Sequence, residues 1–281
     1  ILLIWFERKL VAGMQSRVGP DRAGPFGILQ TVADAIKLLL KEQIMPLKAD
    51  RAMYLLAPII ALVPSFLIFM IIPLGPDLNI EVGGKNYVVD FVGADLNVGV
   101  LYFLALSSIA VYSVVLAGWS SGSKYPLLGG VRASAQMISY EAAMGLSLVP
   151  VILYSGSLSL VDIVSSQSGN LSTSIPILSS IVSFIPKWNI FPQFIAFGIF
   201  FIAAVAEVNR APFDLVEAEQ ELVGGFHTEY SGFRFAMFFL AEYINMFNMC
   251  AITATFFLGG WLGPTFENFL PPVLSAIMPI I

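Results

Sequence analysis

"AMYLLAPIIALVPSFLIFMIIP" (residues 52–73) holds 22 residues without a charged side chain. As a helix it would rise roughly 33 Å, enough to cross a hydrocarbon core of about 30 Å. "VGVLYFLALSSIAVYSVVLA" (residues 98–117) repeats the pattern over 20 residues. The composition agrees: the chain of 281 residues is 57% apolar and 12% charged, with a mean hydropathy of +0.84. A soluble domain carries about a quarter charged residues, so the main solvent here is lipid. Further spans fall at 131–154, 190–209 and 233–258, with part of one at 1–6. Segment 269–281 is apolar but is interrupted by Pro271, Pro272 and Pro279, which makes it a weak span. Together these predict an all-α polytopic membrane protein, one integral domain over residues 1–281.

The opening "ILLIWFERKL" has only six apolar residues before a charge cluster, too short for a crossing helix and unlike a signal peptide. The end, "LPPVLSAIMPII", has no polar tail, so both ends read as truncated. Orientation follows from the basic residues. Twelve of the 14 Lys and Arg fall in loops 7–51, 118–132 and 207–234, and the alternating loops hold only Lys85 and Lys187. That asymmetry places the first three loops on the cytoplasmic side or its equivalent. Within 7–51, Gly19, Pro20, Gly24 and Pro25 forbid a continuous helix. After them Ile28, Leu29, Val32, Ile36, Leu39 and Leu40 recur at helical spacing opposite Asp34, Lys37 and Lys41, which predicts an amphipathic helix on the membrane surface. On the other side, "NIEVGGKNYVVDFVG" alternates about Gly83–Gly84 and predicts a short hairpin. The Ser-rich segment 155–189 reads as a solvated connector.

Residue counts exclude several chemistries. One cysteine, Cys250, forms no internal disulfide and cannot anchor an iron–sulfur cluster, which needs about four protein ligands. The one histidine, His227, lies in a loop and offers no axial ligand to a haem within the membrane. The chain is therefore expected to hold no redox centre or metal of its own. Cys250, inside an apolar span, is expected to pack. His227 would titrate near pH 6.5 if exposed and otherwise serves packing. "GWSSG" at 118–122 has small residues four apart, a weak helix-packing signal at a helix end.

Charge returns where it is expensive. Glu141 lies nine residues beyond Arg132, roughly 13 Å along a helix, and Glu242 lies eight beyond Arg234, roughly 12 Å along. A bare carboxylate at that depth costs several kcal/mol, so each should be protonated, paired or wet. Ser139 and Tyr140 supply hydroxyls beside Glu141; Tyr243, Asn245 and Asn248 follow Glu242. "AEVNRAPFDLVEAEQELVGGFHTEY" (206–230) adds Glu207, Asp214, Glu217, Glu219, Glu221 and Glu229. A helix over 212–223, begun by Pro212, would set Asp214, Glu217 and Glu221 within about 60° of one another. Crowded carboxylates cannot all ionise, so such a cluster can share a proton and release it when a nearby charge changes. Arg210 and Arg234 are the available counter-ions.

Three stretches carry a resemblance: "ERKLVAGMQSRVGPDRAGPFGILQTVADAIKLLLKE", "SKYPLLGGVRASAQMISYE" and "AEVNRAPFDLVEAEQELVGGFHTEYSGFRFAMFFLAEY". In order and over nearly the whole chain they resemble the H-subunit family of NADH-quinone oxidoreductase, respiratory complex I. The resemblance implies an eight-helix fold, of which about six helices are represented here. It implies quinone as substrate, with flavin and iron–sulfur clusters in hydrophilic partner subunits and ion-pumping membrane subunits alongside. The setting would be an energy-transducing membrane, the bacterial plasma membrane or an organelle inner membrane. Glu7, Arg8, Arg17 and Asp34 match family positions near a quinone chamber, and Phe213 an aromatic lining it. Proton-coupling positions fall on Tyr140, Glu141, Glu207, Arg210, Asp214, Glu217, Glu219, Glu221 and Glu242; Glu229 matches as well. Related subunits of ion-translocating hydrogenases and of F420- or ferredoxin-linked dehydrogenases are an alternative. The full first loop and the "EAEQELVGGF" run favour the quinone enzyme. A free-standing proton channel or transporter is a third reading, disfavoured by the absence of an internal repeat.

Overall fold

The computed structural model describes residues 2–76, 78–82, 85–169, 186–214 and 223–262. Among these, eight α-helices run in the order α1 (Leu2–Met14), α2 (Gln30–Leu40), α3 (Arg51–Ile71), α4 (Gly99–Ser120), α5 (Lys124–Ser155), α6 (Leu160–Ser166), α7 (Phe194–Glu207) and α8 (Gly232–Phe257). Four of them, α3, α4, α5 and α8, are long and apolar enough to cross a membrane. Strands β1 (Leu78–Val82) and β2 (Lys85–Val89) pair antiparallel, Val82 opposite Lys85, as the alternation about Gly83–Gly84 predicts.

Small side chains and proline geometry set how the long helices meet. At Gly118 on α4 an added Cβ would lie 2.5 Å from the Pro126 carbonyl oxygen and 3.2 Å from Gly130 Cα. The weak "GWSSG" signal thus marks a backbone-to-backbone approach of α4 and α5, the kind of contact that drives helix association in lipid. The same contact explains why α5 starts at Lys124, seven residues before the expected span. Pro126 is tolerated in a first turn, and Gly129–Gly130 are there for packing rather than as breakers. In α3, Pro58 has no N–H to give to the Tyr54 carbonyl four residues back, and the Tyr230 hydroxyl supplies that bond at 3.2 Å. Tyr54 and Tyr230 also stack, 4.1 Å between centroids, and the Tyr54 hydroxyl donates to the Glu229 carbonyl at 2.8 Å. The main core joins Ile71, Phe103, Met144, Leu148, Phe200, Ile252 and Phe256. A second cluster gathers Tyr54, Ala57, Ala117, Tyr230 and Phe238.

Backbone contacts sort the connections onto two ends. Asp50 N–H donates to Ser120 O at 3.0 Å and Ile44 N–H to Ser231 Oγ at 2.8 Å, so segments 41–50, 120–124 and 225–231 pack together. At the other end Ala94 N–H donates to Met70 O, and Val100 N–H to Leu158 O. The loops that carry most of the basic charge therefore share one end of the bundle.

Several expectations are corrected. The charge cluster after residue 6 does not end the first helix: α1 continues to Met14, with Glu7 paired to Arg210 and Arg8 paired to Asp34 of α2. Helix α7 has 14 residues rather than the 20 of the expected span, a rise of about 21 Å. The turn before it is tied to α8, where Ile190 N–H and the side-chain amide of buried Asn189 donate to Phe257 O and Phe256 O. Irregular backbone next to a span is tolerated where protein groups satisfy it. Within 155–189, residues 160–166 are helical with Leu160, Ile163 and Val164 buried, and buried Gln167 binds Thr255 O. That part is packed structure, not a solvated connector. Cys250 is exposed, because the inward stripe of α8 runs through Phe238, Ala241, Asn248 and Ile252 and leaves 250 opposite. Helix α2 turns Asp34 toward α1 and leaves Val32, Ile36 and Leu39 exposed, with Leu29 just before it, as a helix resting on lipid would.

Gly129 tests the packing. A Cβ there would meet the Gly225 backbone at 2.8 Å. Gly129→Ala should destabilise the protein by about 1–3 kcal/mol, an overpacking cost, seen as lower complex yield and a lower melting temperature on native gels. Wild-type stability of this variant would contradict the close approach.

Candidate functional site

Arg210 follows the end of α7 and sits among polar groups from α1 and α8. Its Nη1 donates to Glu7 Oε1 of α1 at 2.9 Å, and its Nε lies 3.2 Å from Glu242 Oε1 of α8. The Tyr243 hydroxyl donates to Glu7 Oε2 at 2.7 Å, and the guanidinium stands 4.9 Å from the Tyr243 ring centroid. Burial opposes the Arg210 charge, but Tyr243, Glu242 and Glu7 outweigh it and hold the group above its ordinary value. One cation thus joins the charge cluster of the first motif to the half-buried acid of α8. Next to it a cavity of about 70 Å³ is lined by Glu207, Asn209, His227, Glu242 and Asn245 together with apolar side chains of α3, α4, α5 and α8. At roughly 10–15 Å³ for each water, it has room for several.

Glu207, 7% exposed, receives a hydrogen bond from Ser107 of α4 on Oε1, and its Oε2 has no protein partner among the described residues. Glu141, half-buried on α5, receives one from Ser108. The neighbouring hydroxyl expected to serve Glu141 does not: Ser139 donates to Ala135 O of its own helix at 2.7 Å. Tyr140 instead sets its ring edge-on to Phe213, 5.1 Å between centroids. Gln136, one turn before Tyr140, reaches Phe213 O at 2.9 Å, Ala206 O at 3.0 Å and Asn209 Oδ1 at 3.4 Å. It ties α5 to the end of α7 and the start of the acidic loop.

The remaining predicted residues divide. Arg8 and Asp34 form an ion pair between α1 and α2. Burial works against the Asp34 charge, yet the bonds from Arg8 and Gln30 and the Arg8 charge hold the carboxyl below its ordinary value. Arg17 is exposed and binds Gln15 Oε1, apart from the other groups. Asp214 is exposed. Glu217, Glu219 and Glu221, and with them most of the expected helix over 212–223, lie outside the described residues. Arg234, the second expected counter-ion, stands over the Tyr54 ring at 5.5 Å. Asn248 donates to Ser65 O of α3 at 2.8 Å. His227 is enclosed by Phe226, Phe235 and Phe239, and burial pushes its imidazole down to about 4. Burial likewise pushes the Tyr230 phenol up to about 12.

Ser107, Ser108 and Gln136 were not picked out by reading the sequence. The available signal was polar side chains at mid-helix: two serines inside an uncharged 20-residue span, and an amide five residues before Glu141.

The fold and this arrangement define a polytopic helical membrane protein with carboxylates gathered around one shared arginine. Comparison of sequences gives the family: the pattern described as NADH dehydrogenase matches residues 1–281, and the chain belongs to that family. It is 52% identical over 269 residues to the NADH-quinone oxidoreductase H subunit 2 of Geobacter metallireducens, covering 92% of this chain and 72% of that protein. To the H subunit 2 of Koribacter versatilis it is 48% identical over 285 residues, covering 99% and 76%. To the H subunit of Brevibacillus brevis it is 48% identical over 277 residues, covering 98% and 73%. The chain is thus a membrane subunit of the complex I type.

His227 gives a pH test. Its folded value near 4 lies below the ordinary 6.5, so the unfolded loop binds the proton more readily. The packing it contributes is complete above pH 6.5 and is lost as pH falls toward 4. Protection of residues 225–231 from hydrogen exchange, corrected for the intrinsic pH dependence of amide exchange, should fall over that window in the wild type, and His227→Gln should flatten the dependence. An unchanged profile in the variant would count against a buried neutral imidazole.

Proposed function

We propose that this protein forms the membrane part of a quinone chamber and couples quinone reduction to proton translocation through its carboxylates. The observation that carries the reading is Arg210 shared between Glu7 and Glu242. Electrons would arrive from partner subunits that hold flavin and iron–sulfur clusters; one cysteine in this chain cannot supply a cluster's ligands. Reducing a quinone to a quinol takes up two electrons and two protons, so the charge around the chamber changes with each turnover. In this reading Glu7, Arg8, Asp34 and Phe213 would face the chamber. Neutralising Glu7 would leave Arg210 to Glu242 alone; restoring the Glu7 charge would divide it again. Proton affinity at Glu242 would then follow events at Glu7, which is the differential interaction that coupling requires.

Glu207, beside the same cavity, and Glu141 beyond it continue the acidic series toward the outer surface of α5. There they would meet neighbouring ion-pumping membrane subunits. Asp214, Glu217, Glu219 and Glu221 would feed the series from the loop, on the cytoplasmic or matrix side that the basic residues indicate.

The test uses the intact complex in proteoliposomes, with NADH-driven quinone reduction and proton translocation measured together. Glu7→Gln and Glu242→Gln should each lower coupled turnover about tenfold, the scale of one hydrogen bond to a charged group. The double variant should lose less than the sum, because both act through Arg210. Full pumping per quinone in Glu242→Gln, or in the Glu217→Gln, Glu221→Gln pair, would overturn the relay.

A further inference from the structure

Ser107 and Ser108 are neighbours on α4, yet they serve acids on two other helices. The Ser107 hydroxyl donates to Glu207 Oε1 on α7, and the Ser108 hydroxyl meets Glu141 Oε1 on α5. Consecutive residues on a helix point about 100° apart, so one turn of α4 reaches into both interhelical seams. Ser107 is buried, whereas Ser108 lies at the surface of the bundle.

The two hydroxyls differ in a way that bears on protonation. Ser108 Oγ also lies 3.0 Å from Leu104 O, the carbonyl one turn back on its own helix. A serine has one hydroxyl proton and can satisfy one of these acceptors at a time. An ionised Glu141 can only accept, so it requires that proton. A neutral Glu141 can donate to Ser108 Oγ, and the Ser108 hydroxyl is then free to turn to Leu104 O. That carbonyl is not orphaned in either state, because it remains the helical partner of its own ladder. The two bonding patterns therefore differ by a hydroxyl rotation alone. For Ser107 the structure shows one acceptor, Glu207 Oε1, while Glu207 Oε2 is left without a protein donor among the described residues.

We propose that Ser107 and Ser108 are positioning residues: a paired-hydroxyl bridge on α4 that links Glu207 to Glu141 and lets Ser108 exchange acceptors with the charge of Glu141. This rests on the proposed coupling role of those two acids. The bridge gives them a common frame across about one residue of backbone, although they stand on different helices and Glu141 does not line the cavity beside Glu207.

The experiment compares Ser107→Ala, Ser108→Ala, Ser108→Thr, Glu141→Gln and Glu207→Gln in the assembled complex. Infrared difference spectra on quinone reduction are recorded, with carboxyl bands assigned by their loss in the two Gln variants. Ser108→Ala should move the Glu141 band to higher frequency and lower coupled turnover about tenfold; Ser108→Thr, which keeps the hydroxyl, should restore both. Ser107→Ala should move the Glu207 band. If Ser107→Ala fails to assemble, surface-exposed Ser108 decides. Impaired Gln variants with unchanged bands and rates in the serine variants overturn the bridge and leave the relay standing. Unimpaired Gln variants overturn the relay itself, and the bridge with it.

Discussion

An ionised side chain in hydrocarbon must find a partner, and in this protein the partner is one arginine for two acids. Arg210 joins α1 to α8 through Glu7 and Glu242, with Tyr243 holding the far oxygen of Glu7. Both acids are partly buried, and pairing with Arg210 offsets the cost of taking each from water. The cation needs the acids for the same reason, because burial alone would disfavour its charge. The proposed coupling uses the same contact: a cation shared between two carboxylates would redistribute when one of them is neutralised.

Backbone groups impose the second constraint. Lipid offers no hydrogen bonds, so every carbonyl released by a proline or a turn must be met within the protein. The Tyr54 carbonyl is met by Tyr230, and the acidic loop is held to α3 by that bond, by the ring stack and by the Tyr54 bond to Glu229 O. The Gln136 amide does the same for the end of α7 and for Phe213. The two ends of the acidic loop are therefore anchored by neutral side chains, and its charged centre lies between them in sequence.

The spans were legible because long uncharged runs have one meaning in a chain this apolar, and the hairpin because alternation about two glycines has few other solutions. Glu242 and Arg210 were each legible as a group in need of a counter-charge, since charges beside or inside spans are scarce. The errors came from contacts across sequence. Helix α5 began early because Gly129–Gly130 fit against α4 and the 225–227 turn, which no local propensity records. Helix α7 came out short because α8 carbonyls took over its preceding backbone. Ser107 and Ser108 looked like filler in a span, and Ser139 and Tyr140 looked like partners of Glu141. Adjacency in sequence misled there, since neighbours on a helix face different ways.

The brevity of α7 has a mechanical consequence. A full-length span can tilt or slide to match the bilayer, but this one is bolted at its head to the last turn of α8 by Asn189 and Ile190. At its tail Gln136 grips Ala206 O. Glu207 therefore rides on a fixed strut, and changes in membrane thickness should leave its height unaltered. Under the proposed coupling, a response at Glu207 would come from side-chain torsions rather than from the helix moving as a piston.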